Sequence, residues 1–518
     1  MPTDSSGNPN LAANVDWVLA NDPEIAVIRD CLFGGDNVLR WNVVREPNRF
    51  FPSGRIETAH VKRFMECYFA DPQFRDGLMQ DPKAAAALYG LDIDPERLRL
   101  YWDRQGAIDR YGDAAFDNID IARQQAYVKL RGEYRDKLIY RSPNNVRFAK
   151  WRTRQVARCS LELTKTNADN IVHAPACFEL SKGCSVGCWF CGVSALKFNG
   201  HWRYEGANIQ LWRDIAAFMA GLLGPAADKA FLYWGTDPLD NPDYLHFARN
   251  WHAATGFFPQ TTTAIPLRNV ALTRQMLHDS TMAGTIINRF SILTTRVLKN
   301  LYAEFTPEEL LFVELVPQNE GSLLVKAAAG KARNNAERLE KSVIPLRKIQ
   351  TDTGAISAIF KQPGTIACVS GFLFNMVERT VQLITPCKAS NRWPNGYIIV
   401  DSGQFEDVES LAQLINRFIA ENMNETIQDD MVVRPIDELK VEPAEAGFSL
   451  RGEDSVLHFR NEAAPGYFQT LGDMLSKGGS KKRDLVETLE ARFGVERHVS
   501  NQVLQQIYER GVLAEVES

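Results

Sequence analysis

Three cysteines stand close together near the middle of the chain, at Cys184, Cys188 and Cys191. Because only three residues separate the first pair and two the second, one loop can wrap all three thiolates around one face of a metal centre. Gly187 and Gly192 give this loop conformational freedom at crowded positions. Three ligands for the four irons of a [4Fe-4S] cluster leave one iron open for a small cosubstrate.

A structural zinc site, or chance, is the alternative interpretation of these cysteines. Zinc in structural sites takes four ligands, which usually come from a second pair spaced as C-x-x-C or H-x-x-H. Neither second pair occurs in the sequence. The spacing therefore favours an iron-sulfur cluster.

The C-x3-C-x2-C spacing with the aromatic Phe190 before the last cysteine resembles the signature of the radical S-adenosylmethionine superfamily. The resemblance implies a [4Fe-4S] cluster on the three cysteines and S-adenosylmethionine on the open iron, with Phe190 among the cofactor contacts. Reductive cleavage of the sulfonium would then release a 5'-deoxyadenosyl radical. The implied fold class is α/β, with a partial (β/α)6 TIM-like barrel.

Members of this superfamily also carry a Gly-Gly-Glu-Pro turn that grips the methionine part of the cosubstrate. The corresponding residues here are Gly235, Thr236, Asp237 and Pro238. Thr replaces Gly and Asp replaces Glu, so an ordinary strand-ending turn is the alternative. Ser291 and Glu314 fall where such enzymes contact ribose and methionine, although either side chain could point elsewhere.

Short β-rich runs alternate with helical stretches over residues 151–405, which predicts βα units around a parallel sheet or partial barrel. In such folds the reactive groups lie at the carboxyl ends of the strands. The predicted strands are Ala230–Trp234, Phe290–Thr294, Leu311–Leu315, Ser357–Phe360 and Val381–Ile384.

Residues 1–150 predict a helical N-terminal region with apolar residues at helical spacing. Asp71-Pro72 and Asp81-Pro82 predict two helix starts, and Gly90 ends the alanine-rich run from Ala84 to Tyr89. Residues 61–103 also resemble the nitrogen-fixation-type leader peptides that precede some ribosomally made peptide substrates. We refer to residues 61–103 as the leader-like module.

Residues 436–518 predict a small winged-helix-like domain, after a linker at residues 406–435. A hairpin of Phe448–Leu450 and Val456–Phe459 precedes helices over Lys482–Phe493 and Val499–Arg510, and Gly511 closes the second helix. This region resembles the peptide-binding domains of peptide-modifying enzymes, in which a leader peptide adds as a strand to the hairpin edge. A nucleic-acid-binding winged helix is the rival, but Val499–Arg510 contains only one basic residue.

Residues Val377 to Tyr397 resemble the late-barrel segment of the polytheonamide-type peptide epimerases. This narrower resemblance covers roughly residues 60–400 and implies inversion of L- to D-residues in a precursor peptide with a leader and a core. An epimerase needs one free thiol to return hydrogen to Cα. Cys387 is the first candidate and Cys368 the second, while a buried structural cysteine is the alternative for each.

The remaining composition fits an enzyme in a reducing compartment. Nine cysteines, an odd number, fit reduced thiols or metal ligands better than disulfides. Residues 1–10 lack a secretory signal. We therefore expect a cytoplasmic protein without a membrane partner. A net charge of -5 argues against a nucleic-acid partner. An electron donor such as flavodoxin or ferredoxin is expected.

Two other functions stay open. Another radical peptide modification, such as a thioether crosslink, methylation or backbone excision, is the nearer rival. The absence of cysteines after Cys387 disfavours the auxiliary clusters that many thioether-forming enzymes carry. A non-catalytic redox-sensing peptide-binding protein is the more distant rival, and it would not cleave S-adenosylmethionine.

Overall fold

The computed structural model describes residues 9–137, 141–163, 165–342, 364–452 and 454–515. The strand predicted at Ser357–Phe360 lies outside these ranges. Among the described residues, no helix is long and apolar enough to cross a membrane.

The N-terminal region is helical, as its apolar spacing predicts. Its helices are α1 Pro9–Asn21, α2 Pro23–Phe33, α3 Asn37–Arg45, α4 Glu57–Ala70, α5 Pro72–Gln80, α6 Pro82–Leu88, α7 Arg99–Trp102, α8 Arg104–Tyr111 and α9 Ile119–Lys137.

The two Asp-Pro pairs begin helices, which confirms the prediction from sequence. The Asp71 carboxylate accepts a hydrogen bond from the Gln73 amide (2.8 Å) and the Asp81 carboxylate one from the Ala84 amide (3.0 Å). Proline fits the first turn of each helix because that turn has no hydrogen-bond partner for its N–H groups.

The middle of the chain alternates helices and strands. Its elements are α10 Val146–Glu162, α11 Lys165–Ala168, β1 Ala174–Glu179, α12 Ala207–Leu223, α13 Tyr244–Thr255, β2 Thr262–Thr263, α14 Val270–Met282, β3 Asn288–Ile292, α15 Thr295–Glu304, β4 Val313–Pro317, α16 Gly330–Arg333, α17 Ala336–Lys341, β5 Val369–Asn375, β6 Thr380–Pro386 and β7 Tyr397–Gln404.

These strands form two sheets. Strands β2, β3 and β4 are parallel neighbours joined by helices, the expected βα pattern. The second sheet has the order β1-β5-β6-β7, in which β1 and β5 are parallel and the later pairs antiparallel. The partial barrel as a whole stays a prediction.

Two of the predicted strands differ from what the structure has. Residues 230–234 form only an isolated parallel bridge, from Phe231 to Cys177 of β1. Val381–Ile384 lies in β6, an antiparallel hairpin partner of β5 rather than a strand of a βα unit. The connection from Asn375 to Thr380 is too short for a helical crossover, which parallel strands require.

The segment predicted as a linker contains a helix, α18 Val408–Asn422. Its buried side chains Leu411, Ile415, Phe418 and Ile419 join the same large apolar core as the N-terminal helices and the sheets. The linker prediction is therefore wrong for α18, because these four residues recur at helical spacing and form one apolar face that packs into the core.

Removing the Ile415 side chain tests whether α18 is an integral part of the core. Ile415 is fully buried, so Ile415→Ala should lower the free energy of unfolding by about 2–5 kcal/mol. The exposed Gln413→Ala on the same helix should change it by less than about 0.5 kcal/mol. Urea denaturation followed by tryptophan fluorescence measures both, and equal midpoints for the two variants would contradict this packing.

The C-terminal region has its own apolar core. Its elements are β8 Val432–Val433, β9 Lys440–Ala444, β10 Gly447–Arg451, β11 Val456–Arg460, α19 Pro465–Ser476, β12 Ser480–Lys481, α20 Lys482–Phe493 and α21 Arg497–Glu509. The predicted hairpin and the helix at Lys482–Phe493 are confirmed. The last helix begins at Arg497 rather than Val499, and Gly511 follows it with a positive φ of 67°.

Candidate functional site

The three spaced cysteines lie on the loop that follows β1. Cys184 is fixed by its amide, which donates to the Leu196 carbonyl (2.9 Å), and the Cys191 amide donates to the Cys188 carbonyl (3.3 Å). Gly187 has a φ of 68°, a conformation that favours glycine, so the loop can turn between Cys184 and Cys188. All three thiols are only half-buried.

The thiols are close enough to influence one another's ionisation. Burial raises the pKa of Cys188 to about 12, and the neighbouring thiols of Cys191 and Cys184 add to that rise. Burial also raises the pKa of Cys184. Since a bound cation stabilises thiolates, this donor set fits a soft metal centre. Across the described ranges, however, no group of three or more His, Cys, Asp or Glu side chains is arranged so that it could hold a metal ion.

The turn predicted to correspond to Gly-Gly-Glu-Pro lies against the first of these cysteines. Asp237 lies close enough to affect the Cys184 thiol: its amide lowers the pKa of that thiol and its carboxylate raises it. The Asp237 carboxylate accepts hydrogen bonds from the amides of Leu239 (3.0 Å) and Ala264 (2.7 Å) and from the Thr263 hydroxyl (2.8 Å). Asp237 therefore holds the turn in shape, and the turn presents its backbone to the cysteine loop.

Glu179, at the end of β1, supports the same turn from the other side. Its Oε1 accepts the Gly235 amide (2.7 Å) and its Oε2 the Asn375 Nδ2 (3.1 Å). Burial raises the pKa of Glu179 to about 7. A Cβ at position 235 would lie 2.8 Å from Oε1, which explains why glycine is needed there. Sequence reasoning missed Glu179, because a single acidic residue at a strand end carries no pattern.

A second polar group braces the beginning of the cysteine loop. The Asp240 carboxylate accepts hydrogen bonds from the Ser185 amide (2.9 Å) and hydroxyl (2.5 Å) and pairs with Arg268 (2.6 Å). Arg268 also donates to the Ser185 hydroxyl (2.8 Å). These contacts join residues far apart in sequence, so no local signal could have predicted them.

The two aromatic residues between Cys188 and Cys191 are each paired with a cation. The Lys326 ammonium lies 5.6 Å from the Phe190 ring centroid, and the Arg338 guanidinium lies 4.5 Å from the Trp189 ring centroid. The rings of Trp189 and Phe190 meet edge to face at 5.6 Å. Such cation–π contacts hold charged groups over this side of the loop.

The two predicted strand residues have different environments. Glu314 of β4 forms an ion pair with Arg289 of β3 (2.6 Å) and lies 3.9 Å from Arg131 of α9. Burial raises the pKa of Glu314, but the two guanidinium groups outweigh it, and the pKa falls to about 2. The Glu314 carboxylate therefore takes part in ion pairs between β4, β3 and α9. Ser291 is half-buried two residues after Arg289.

Cys368 directly precedes β5 and lies near the cysteine loop. Its thiol donates to the Ile366 carbonyl (3.2 Å), and a Cβ added to Gly192, next to Cys191, would lie 2.5 Å from Ile366 Cγ1. The half-buried Cys368 packs against an inner apolar cluster. That cluster consists of Ala174, Cys177, Phe231, Val369, Leu373 and Ile384.

Cys387 lies beside α10. It directly follows β6, is only 4% exposed, and its amide donates to the Gly396 carbonyl (2.9 Å). Burial raises the pKa of its thiol, as does Glu162, while Arg158 lowers it. Both charged residues belong to α10, so the structure places Cys387 beside this helix. The segment that accepts its amide also reaches toward the cysteine loop, because the Pro394 carbonyl accepts the Gly330 amide (2.7 Å) and the Lys331 amide donates to the Cys191 carbonyl (2.9 Å), so Cys387 stays a predicted donor.

The other free cysteines are buried, as expected for core thiols: Cys31, Cys67, Cys159 and Cys177. Cys177, in β1, belongs to the inner apolar cluster against which Cys368 packs. The site thus combines three adjacent thiols, a supported backbone turn and one additional half-buried thiol. Thiolates are the ligands that iron-sulfur clusters use in proteins.

Comparison with known proteins gives one informative relationship. No family model matches the chain, and no solved structure matches it. The protein named "Uncharacterized protein y4wI" from Sinorhizobium fredii (strain NBRC 101917 / NGR234) is 35% identical over 474 residues, which cover 90% of this chain and 89% of that protein. Similarity of this extent shows common descent over nearly the whole length, and the chain therefore belongs to the same family as y4wI.

Proposed function

We propose that this protein is a radical S-adenosylmethionine peptide epimerase that converts L- to D-residues in a ribosomally made precursor peptide. The observation that carries the proposal is that the loop of the three cysteines lies against the 235–238 turn, with Asp237 close to Cys184 and Cys188, and against Ile366, whose carbonyl accepts the half-buried Cys368 thiol. Cys184, Cys188 and Cys191 would hold the [4Fe-4S] cluster. The backbone of the 235–238 turn and the Phe190 ring would contact S-adenosylmethionine.

S-adenosylmethionine, when bound, would supply a radical able to remove the Cα hydrogen of an L-residue, given an electron from flavodoxin or ferredoxin. The protein must then return a hydrogen atom to the opposite face of that carbon. We assign this step to the Cys368 thiol, because Ile366, whose carbonyl accepts that thiol, packs against Gly192 of the cysteine loop, and because Cys368 packs in the same apolar cluster as Trp234, next to the 235–238 turn. The sulfur radical left on Cys368 would return to a thiol by taking one electron from the flavodoxin or ferredoxin donor and one proton from solvent.

The C-terminal sheet offers an edge for the leader peptide. Its strand order is β11-β10-β9, and within the described ranges β11 has no neighbour on its outer side. Pro443 in β9 lacks an N–H group, which disfavours strand addition at the opposite edge. We therefore assign leader binding to β11, through main-chain hydrogen bonds.

Stereochemical analysis in deuterium oxide tests the proposed reaction. The reconstituted protein is incubated anaerobically with S-adenosylmethionine, reductant and a precursor peptide, and the product is hydrolysed for chiral amino-acid analysis. Since a thiol hydrogen exchanges with solvent, each D-residue should carry one deuterium at Cα. A product with a new mass in ordinary water would instead favour a crosslink, methylation or backbone excision.

Changing Glu179 should weaken cosubstrate binding without loss of the cluster. Both oxygens of Glu179 accept hydrogen bonds, and the glutamine of Glu179→Gln has only one oxygen, so either Gly235 or Asn375 loses its acceptor. We expect the dissociation constant of S-adenosylmethionine to rise about tenfold, the usual effect of one lost hydrogen bond to a charged group. Equilibrium dialysis measures it.

The exposed Glu378→Gln serves as the control, because Glu378 lies close enough to influence Glu179 electrostatically but does not bond to the turn. Its affinity and the iron content of both variants should match those of the wild type. Unchanged affinity in Glu179→Gln would contradict the supporting role of Glu179.

A further inference from the structure

The segment that follows β4, residues 318–326, contains buried polar groups without partners. Among the described residues, Gln318 Oε1, Asn319 Oδ1 and Ser322 Oγ have no hydrogen-bond partner. Lys326 is only 4% exposed, and no hydrogen bond or ion pair joins its ammonium to any described residue. Buried polar groups in folded proteins are nearly always paired, so three such groups within five residues, with Lys326 four residues further on, indicate space for an additional polar partner.

The leader-like module holds this segment in place. The Leu323 amide donates to the Phe69 carbonyl (2.8 Å), and Asn319 Nδ2 donates to the Ala70 carbonyl (2.7 Å). Arg75 Nη2 donates to the Gly321 carbonyl (2.6 Å). The module is thus not a detached leader, because its own backbone fixes a segment of the central fold.

The same segment faces the cysteine loop. The Lys326 ammonium lies 5.6 Å from the Phe190 ring centroid. At the segment's outer side, Glu320 pairs with Arg338, whose guanidinium lies over the Trp189 ring. Burial lowers the pKa of Lys326 to about 8, so the group stays largely charged at neutral pH and lacks a counter-charge in contact.

The four groups together define the chemistry of the ligand. The two amide oxygens of Gln318 and Asn319 accept hydrogen bonds, whereas the Lys326 ammonium only donates and the Ser322 hydroxyl does either. A ligand that satisfies them offers both N–H groups and carbonyl oxygens at short intervals. An extended peptide main chain has this alternation.

We propose that residues 318–326, held by the leader-like module, form a binding subsite for the main chain of the peptide substrate next to the cysteine loop. This inference rests on the proposed peptide substrate, and it assigns the place where the core of that peptide binds. The leader-like module then acts as a scaffold for substrate binding, and Lys326 binds a main-chain carbonyl oxygen.

Photo-crosslinking tests the subsite with the full chain. The samples are short synthetic peptides of randomised sequence, acetylated and amidated, each with one diazirine amino acid. Mass spectrometry of protease fragments then locates the label. We expect labelling within residues 318–326 of the wild type and about a tenfold decrease there in Lys326→Met, with labelling elsewhere unchanged.

Lys299→Met is the matched control, because Lys299 also lies over an aromatic ring, that of Tyr89 (4.4 Å), but outside the segment. It should label like the wild type. No label within 318–326 of the wild type, or equal labelling there in Lys326→Met, would overturn the proposal.

Equilibrium dialysis with radiolabelled S-adenosylmethionine tests whether Lys326 binds the cosubstrate instead of the peptide. We expect equal affinity in the wild type and Lys326→Met. A loss of this affinity with unchanged peptide labelling would assign Lys326 to the cosubstrate and overturn the peptide subsite. Peptide labelling does not require the iron-sulfur cluster. If the protein were not a radical enzyme, the wild type would form no 5'-deoxyadenosine, and the labelling result would be unaffected.

Discussion

Replacing Cys188 by alanine is expected to abolish the iron-sulfur cluster. Three thiolates on one loop are the proposed ligands, and two cannot hold the four irons against loss to solvent. The wild type reconstituted under anaerobic conditions should contain about four irons and four sulfides per chain, and Cys188→Ala less than about one of each. Colorimetric iron and sulfide assays measure both.

Cys31→Ala provides the control for this experiment, because Cys31 is a buried thiol of the N-terminal helices. Its iron content should equal that of the wild type. Full iron in Cys188→Ala, or stoichiometric zinc in the wild type after purification, would contradict the assignment of Cys184, Cys188 and Cys191 as cluster ligands.

Cys368→Ala is expected to lose the formation of D-residues while it continues to cleave S-adenosylmethionine. The variant keeps the three cluster thiols but lacks the hydrogen donor that lies near their loop. Deuterium uptake at Cα in deuterium oxide should therefore fall below detection, while 5'-deoxyadenosine still forms. Chiral analysis and peptide mass measure the first result, and liquid chromatography the second.

Cys387→Ala discriminates between the two candidate donors. Cys387 lies beside Arg158 and Glu162 of α10, so its loss should leave deuterium uptake intact. The opposite pattern, with uptake lost in Cys387→Ala and retained in Cys368→Ala, would show that Cys387 is the hydrogen donor, as the sequence first predicted.

Local sequence signals predicted the elements that depend on local physics. Asp71-Pro72 and Asp81-Pro82 contain both a side-chain cap and a fixed φ, and each begins a helix. The Phe448–Phe459 pair of the C-terminal hairpin follows from strand alternation around a short turn. The apolar residues of α18 have an equally local pattern, helical spacing, which is sufficient to predict this helix from the sequence.

The features that could not be predicted from the sequence depend on contacts between residues far apart along the chain. Glu179 and Gly235 are 56 residues apart, and Asp240 reaches back 55 residues to Ser185. The choice between Cys368 and Cys387 depends on how β6 is placed against α10, and the pairing of β6 with β7 shifts register between Leu383 and Ile384. A register shift changes which face a side chain occupies, so sequence alternation alone could not locate Cys387.

The most direct test of the central claim is the formation of 5'-deoxyadenosine from S-adenosylmethionine. The anaerobically reconstituted wild type is incubated with S-adenosylmethionine and dithionite, and the products are separated by liquid chromatography with mass detection. We predict 5'-deoxyadenosine from the wild type and none from Cys188→Ala. Absence of 5'-deoxyadenosine from a wild type that contains its full complement of iron would contradict the assignment of this protein as a radical enzyme.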